Sequence, residues 1–220
     1  MKAKKLGFVH TSATLVPLFQ QLTNDYLKNV DTFNIVDDSL IKDVIKKGEL
    51  KANTAARVVK HIQAAEHAGA DVILVTCSSI GVAIETGATL STVPVIRVDQ
   101  AMADEAVKTS NKIGVIATLP TTLEPTTDLV KRRAEVAGKQ VEITSKLCDG
   151  AFEALMSGDG AKHDAMVASA LKGLMKEVDV IVLAQASMSR VVDGLTAEEK
   201  VVPILASPAI AMKKLAEDYF

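Results

Sequence analysis

Short apolar segments alternate along the chain with longer segments that have the periodicity of a helix. Eight runs rich in Val and Ile, most of them uninterrupted by charge, have the length and composition of strands buried on both faces. They are residues 6–10, 33–36, 72–76, 95–98, 113–117, 141–144, 180–183 and 204–206. The clearest helix is predicted over residues 52–68, where apolar side chains recur every three or four positions. This alternation predicts an α/β fold with mostly parallel strands.

The chain also contains an internal repeat. Residues 71–79 (DVILVTCSS) align with 179–187 (DVIVLAQAS), 5–11 (KLGFVHT) with 112–118 (KIGVIAT), and 93–96 (VPVI) with 202–205 (VPIL). The offsets are 108, 107 and 109 residues, and the three blocks occur in the same order. The repeat predicts two similar α/β lobes that face each other about a pseudo-twofold axis, with the active site in the cleft between them.

Composition removes several classes of protein. The 220 residues include 25 basic and 27 acidic side chains, 3% aromatic residues and no Trp, which argues against a nucleic-acid partner. No apolar run approaches the length of a membrane span, so no membrane association is expected. Two cysteines 71 positions apart without a CxxC motif are typical of free thiols, and a cytoplasmic location is expected.

Cofactor motifs do not occur in the sequence either. No group of His, Cys and Asp has zinc spacing, and GxGxxG, Walker A and GxSxG motifs are lacking. We therefore expect neither a metal nor a nucleotide cofactor.

Candidate chemistry lies just after the predicted strands, where parallel α/β sheets bind ligands. Hydroxyl groups are frequent there, and with helix N-termini they are suited to hold a carboxylate or an enolate. They belong to Thr11, Ser12, Ser78, Ser79, Thr118, Thr121, Thr122 and Ser187. The alternative for any one of them is a helix N-cap.

Two further side chains at strand ends could carry reaction steps. Cys77 precedes a predicted helix start, where partial positive charge favours the thiolate; alternatively it is a small buried apolar residue. His10 could be an acid, a base or a carboxylate donor, or a histidine fully bonded within the fold. Arg97 and Arg190 could meet a substrate acid group, but surface salt bridges are the simpler interpretation of both.

These motifs together resemble the aspartate/glutamate/hydantoin racemase superfamily. The matching pieces are GFVHTS (7–12), VDDS (36–39), VTCSS (75–79), PVIRVD (94–99), ATLPTT (117–122) and LAQAS (183–187). The resemblance implies two three-layer lobes, residues 1–98 with a C-terminal helix 208–220, and residues 99–207. It also implies a homodimer without a cofactor that acts on a small carboxylate. Family members move a proton at the carbon next to a carboxylate or carbonyl, with one cysteine from each lobe.

The sequence departs from that pattern at Gln185, the repeat partner of Cys77. An amide cannot exchange a proton as a base near neutral pH, so two-base racemisation is in doubt. One working thiol suits an isomerisation, a decarboxylation with protonation on one face, or addition to an activated double bond. Cys148 follows the sixth predicted strand and could act as a replacement second thiol; the alternative is a partly buried thiol near a helix start.

The leading hypothesis is thus a cofactor-independent, racemase-like isomerase of a small acid (an amino acid, a hydantoin or a dicarboxylate), with Cys77 and Gln185 as catalytic residues. The substrate would be bound by the side chains at the two sets of strand ends. These are His10, Thr11, Ser12, Ser78, Ser79, Thr118, Thr121, Thr122, Ala186 and Ser187. Two alternatives stay open: a protein on the same scaffold that binds small carboxylates without catalysis, and a purely structural assembly protein.

Overall fold

A computed structural model describes residues 4–220 and contains two four-stranded sheets, in which every strand pair is parallel. The strands of the first sheet are β1 (Lys5–His10), β2 (Asp31–Val36), β3 (Val72–Val75) and β4 (Val95–Arg97). Those of the second are β5 (Lys112–Ala117), β6 (Glu142–Leu147), β7 (Val180–Leu183) and β8 (Ile204–Ala206). The strand orders are β2-β1-β3-β4 and β6-β5-β7-β8, so the same topology occurs twice.

Ten α-helices lie between and after the strands of the described chain. The first five are α1 (Leu15–Tyr26), α2 (Asp38–Lys47), α3 (Ala52–His67), α4 (Gly81–Thr89) and α5 (Gln100–Thr109). The others are α6 (Pro120–Val136), α7 (Ala151–Met156), α8 (Gly160–Leu174), α9 (Ser189–Asp193) and α10 (Ser207–Tyr219). None of the helices within residues 4–220 is long and apolar enough to cross a bilayer. Contacts divide the chain into two compact units, residues 1–100 with 208–220 and residues 101–207.

In the first unit the sheet is a middle layer between two groups of helices. On one face Ile73 and Val75 pack with α2, α3 and α4 through residues such as Val58 and Ile62. On the other face Leu74 and its neighbours pack with α1 and α10. Both faces of β3 are therefore covered, which explains why its sequence is apolar without alternation.

The last helix, α10, belongs to the core of the first unit. Met212 and Leu215 are at most 1% exposed and pack with Leu6 and Leu74. We expect Leu215→Ala to lower the free energy of unfolding by about 2–5 kcal/mol, because a buried leucine leaves a cavity when truncated. Urea denaturation measures this, and Lys213→Ala on the exposed face of the same helix is the control. Equal midpoints for the two variants would contradict this packing.

The second unit also has a sheet between two groups of helices, but its edge strand β6 carries exposed polar residues. Its core joins Ile181 and Leu183 of β7 to α7, α8 and α9, while α6 lies against β5 and β6 on the other face. The strand predicted at residues 141–144 is β6, which extends to Leu147. Ser145 and Lys146 are exposed on this edge strand. Because both residues are polar, the pattern of hydrophobic positions does not predict the second half of the strand. The α/β class with parallel sheets predicted from the sequence is confirmed.

Candidate functional site

Cys77 lies two residues beyond the end of β3 in extended backbone, with φ −143° and ψ 118°. A single 3-10 turn, Ser78–Ile80, follows it and runs directly into α4. Cys77 is partly exposed and packs beside the core that contains Val75, whereas Ser78 and Ser79 are buried. The strand therefore ends by placing a thiol at the start of a helical segment, as the sequence predicted.

The protonation of this thiol differs from the expectation. Burial raises the pKa of Cys77 above its ordinary value, and the charge of Asp99 raises it too. Hydrogen bonding by the Thr11 hydroxyl and by the backbone N–H groups of Ser79 and Ile80 acts in the opposite direction. The expectation of a lowered pKa was wrong because desolvation of a thiolate here outweighs the helix-start groups. A raised pKa favours the neutral thiol near pH 7.

His10 ends β1 on the opposite face of the sheet from Cys77. Its ring is fully buried, stacks on Phe8 and lies 5.6 Å from the ring centroid of Phe19. Nε2 is 2.9 Å from Asn34 Oδ1, and Nδ1 is 2.8 Å from the hydroxyl of Thr76, the residue before Cys77. Both ring nitrogens are thus engaged, and a role for His10 in binding substrate stays a prediction.

Burial lowers the pKa of His10 below 6.5, although the hydrogen bond to Asn34 opposes this. The unfolded chain therefore takes up this proton more readily than the folded protein. His10 contributes stability that is present above pH 6.5 and is lost as the pH falls through the lower, folded-state pKa. We expect the free energy of unfolding to fall more steeply between pH 7 and 5 in the wild type than in His10→Gln. Parallel urea-denaturation profiles for the two proteins would contradict a buried neutral imidazole.

The hydroxyls near Cys77 occupy different settings. Thr11 is 3% exposed, and its hydroxyl is hydrogen-bonded to the thiol of Cys77. Ser12 is partly exposed, and its Oγ is 2.7 Å from Oγ1 of Thr14. Ser78 is buried in the 3-10 turn. Thr11 and Ser78 therefore lie close to the thiol of Cys77, whereas the hydroxyl of Ser12 is hydrogen-bonded to Thr14 within its own loop.

Arg97 is not a surface residue, in contrast to the prediction. Its side chain is 3% exposed and that of Asp99 is 0% exposed. Arg97 Nε is 3.0 Å from Asp99 Oδ1 and Nη2 is 2.8 Å from Oδ2, a two-pronged ion pair. Arg97 Nη1 also donates to Glu85 of α4 at 2.5 Å. Arg190, by contrast, makes the expected surface salt bridge, to Asp164.

In the second unit, Gln185 follows β7 as Cys77 follows β3. Its Oε1 accepts two hydrogen bonds from Thr118, from the backbone N–H at 2.6 Å and from the hydroxyl at 3.0 Å. A backbone N–H only donates, so the carbonyl oxygen of the amide faces Thr118 and the NH₂ group points away from it. Gln185 is partly exposed. The pairs Thr11 with Cys77 and Thr118 with Gln185 are matched members of the repeat.

The other predicted residues of the second unit surround the same strand ends. Thr121 Oγ1 is buried without a hydrogen-bond partner among residues 4–220, and Thr122 is a buried residue of α6. The N-cap of α6 is Leu119, which makes no side-chain cap, so the alternative of N-capping is wrong for these two threonines. Ala186 and Ser187 begin a 3-10 turn, where Ser187 is exposed.

Cys148 lies in a different setting of the second unit. It is 5% exposed, and burial raises its pKa to about 11, although the charge of Lys146 opposes this. It borders a cavity of about 760 Å³ between β6 and α8, whose walls include Thr144, Met166 and Glu177. Its role as a replacement second thiol stays a prediction.

A polar cluster lies at the end of β2, another of the strand ends at which the sequence pattern predicts ligand-binding side chains. Asp37 caps α2 by accepting from the backbone N–H of Ser39, and it also binds Arg57 and His61. Burial raises the pKa of Asp37, but the hydrogen bonds from Ser39, His61 and Arg57 outweigh it and hold the pKa at about 2. The VDDS motif, residues 36–39, thus supplies the N-cap of α2. Among residues 4–220, no group of three or more His, Cys, Asp or Glu is arranged to hold a metal ion.

Solved structures of racemases share this fold. Glutamate racemase from Aquifex pyrophilus is 20% identical with a TM-score of 0.68, and the match covers 97% of this chain and 83% of that one. Allantoin racemase from Klebsiella pneumoniae is 17% identical with a TM-score of 0.71, covering 98% and 86%. Aspartate racemase from Picrophilus torridus is 15% identical with a TM-score of 0.72, covering 98% and 95%.

A sequence search among proteins with curated descriptions finds no significant match. A family match is found, however, and it extends over nearly the whole chain. Residues 7–215 match the family described as Asp/Glu/Hydantoin racemase. This span includes both sheets except the first two residues of β1, together with the thiol beyond β3 and the amide beyond β7. The chain therefore belongs to the Asp/Glu/hydantoin racemase family.

Proposed function

We propose that the protein is a cofactor-independent isomerase that acts at the carbon adjacent to a carboxylate of a small acid, with Cys77 as its one working thiol. The observation that carries this proposal is the pair of matched strand ends. In one unit Thr11 is hydrogen-bonded to the partly exposed thiol of Cys77, and in the other Thr118 is hydrogen-bonded to the amide oxygen of Gln185. That both strand ends serve one substrate rests on the sequence repeat and on the family.

The amide of Gln185 is proposed to bind the acid group of the substrate. Thr118 occupies its carbonyl oxygen, so the two N–H donors are the part of the side chain left to meet an anion. Hydrogen bonds from such donors strengthen as negative charge develops on a carboxylate that becomes an enolate. The unpartnered Thr121 hydroxyl is a further donor near the start of α6.

Cys77 is proposed to exchange the proton at the reacting carbon. The thiolate, which Thr11 and the N–H groups of Ser79 and Ile80 stabilise, removes the proton from the reacting carbon and leaves the electron pair of that bond on the substrate as an enolate. The neutral thiol formed in this way then gives a proton back to the enolate carbon. Reversal of this step removes a proton from the same face. A single thiol therefore adds and removes protons on one face only.

One observation favours a second candidate, a one-cysteine decarboxylase. The raised pKa of Cys77 suits a proton donor better than a base. In that reaction the bond to the departing carboxylate breaks, its electron pair stays on the carbon as an enolate, and the thiol proton is transferred to that carbon. Solvent then returns a proton to the thiolate. The homodimer, the cytoplasmic location and the substrate class stay predictions.

Proton NMR in D₂O tests the proposal with a panel of amino acids, hydantoins and dicarboxylates. We expect one class to lose the signal of the hydrogen beside its carboxylate, through exchange or isomerisation. A decarboxylase would instead produce a new, deuterated product from a malonate-type diacid. If a compound shows line broadening with the protein and no compound changes chemically, the proposal fails in favour of a binding protein.

A further inference from the structure

Asp99 and Cys77 follow the ends of two neighbouring strands. β3 and β4 are parallel neighbours in which Val75 pairs with Arg97. The pairing ends where the N–H of Val98 donates to the carbonyl oxygen of Val75 at 3.1 Å. Cys77 follows Val75 by two residues, and Asp99 follows Val98 in the turn before α5, so both lie just beyond the same two strand ends. Asp99 is completely buried, so its carboxylate acts on its neighbours with little screening by solvent.

Asp99 is held in place by Arg97 and not by the thiol. The two-pronged ion pair fixes both carboxylate oxygens, and Glu85 binds the far side of the guanidinium. Gly81, the first residue of α4, leaves room for this group. A Cβ at that position would lie 2.4 Å from the guanidinium carbon. The cation is thus packed against the same helix that begins after the Cys77 turn.

We propose that Asp99 is a positioning residue that acts on Cys77 through its charge and adds to the effect of burial in keeping the proton on sulfur, with Arg97 setting how much of that charge the thiol experiences. The geometry of the buried ion pair, its packing against the start of α4 and the neighbouring strand ends carry this inference, and the raised pKa of Cys77 agrees with it. Its catalytic consequence, a thiol that is better suited to give a proton than to remove one, rests on the proposed function.

The charged and titratable groups around this strand end come from three elements. Arg97 lies on β4 with Asp99 just beyond it, Glu85 lies on α4, and His10 lies at the end of β1. Glu85 is partly exposed at the far side of Arg97. His10 is neutral near pH 7, because burial lowers its pKa. Asp99 is therefore the anion whose charge we expect to dominate at the thiol.

The rate of alkylation by iodoacetamide, followed against pH, tests this inference without any substrate. All variants carry Cys148→Ala, so that Cys77 is the one cysteine of the 220 residues. We expect Asp99→Asn to lower the midpoint and to speed alkylation at pH 7 several-fold, because more of the thiol is then ionised. Arg97→Gln should act in the opposite direction and raise the midpoint, because it leaves the carboxylate uncompensated.

The opposite signs distinguish charge from a loosened structure, which would speed alkylation in both variants. Asp104→Asn, which breaks an arginine–aspartate pair of the second unit, is the matched control and should leave the midpoint unchanged. The double variant Arg97→Gln/Asp99→Asn has no unpaired buried charge and serves if a single variant fails to fold. Its midpoint should lie below that of the wild type. Midpoints of the folded variants equal to that of the wild type would overturn the inference, whatever the fate of the proposed function.

Discussion

Cys77→Ala is expected to reduce turnover of the substrate found in the NMR panel by about 10²–10⁴-fold, the usual contribution of a positioned acid or base. The variant removes the proton carrier and leaves the buried hydroxyls of Thr11 and Ser78 in place. Affinity for the substrate should therefore change much less than turnover. Initial rates and ligand titrations of the same preparation measure both quantities.

Cys148→Ala is the control for this experiment. Both cysteines are free, but Cys148 borders the cavity between β6 and α8 and its pKa is raised to about 11. We expect the Cys148 variant to retain wild-type turnover. Loss of activity in Cys148→Ala together with full activity in Cys77→Ala would reverse the assignment of the thiol.

Gln185→Glu is expected to reduce turnover by about 10²–10³-fold, comparable to the loss of an oxyanion donor. Glutamate is almost the same size and can still accept both hydrogen bonds from Thr118. It replaces the NH₂ donor by a second carboxylate oxygen, which repels an acid group of the substrate. Steady-state kinetics should show a higher KM and a lower kcat, because the amide donates a hydrogen bond both to the carboxylate of the bound substrate and to the enolate that develops from it.

The matched control is Gln140→Glu, an exposed position of the second unit. It makes the same chemical change away from the strand ends and should leave turnover unaltered. Unchanged kinetics in Gln185→Glu would show that the amide does not donate to the substrate. The matched pairing of Thr118 with Gln185 would then be a structural element only.

Much of the fold follows from local signals in the sequence. β3 and β7 are uninterrupted apolar runs, and the repeat that aligns them also predicts that the strand order occurs twice. β6 was predicted too short because an edge strand tolerates polar residues such as Lys146. A pattern of hydrophobic positions detects burial, so it misses strand segments that are not buried.

The candidate site was predictable in its positions but not in its electrostatics. Strand ends pointed to Cys77 and Gln185, and the structure places both there. The neutral state of the thiol depends on how much solvent the fold excludes and on Asp99, which lies 22 positions further along the chain. The alternating charges of the segment Arg97-Val-Asp99 look like a surface motif until β3 and β4 are paired in register.

The stereochemistry of deuterium incorporation tests the central claim, that one thiol moves the proton, most directly. The compound recovered from D₂O, whether exchanged substrate or decarboxylated product, would be resolved by chiral chromatography and its configuration followed over many turnovers. We predict deuterium at the carbon beside the carboxylate in a single configuration, and a mixture of both configurations once Gln185→Cys restores a second thiol. Equal amounts of both configurations from the wild type would contradict the account, because a second acid–base group would then have to act on the opposite face.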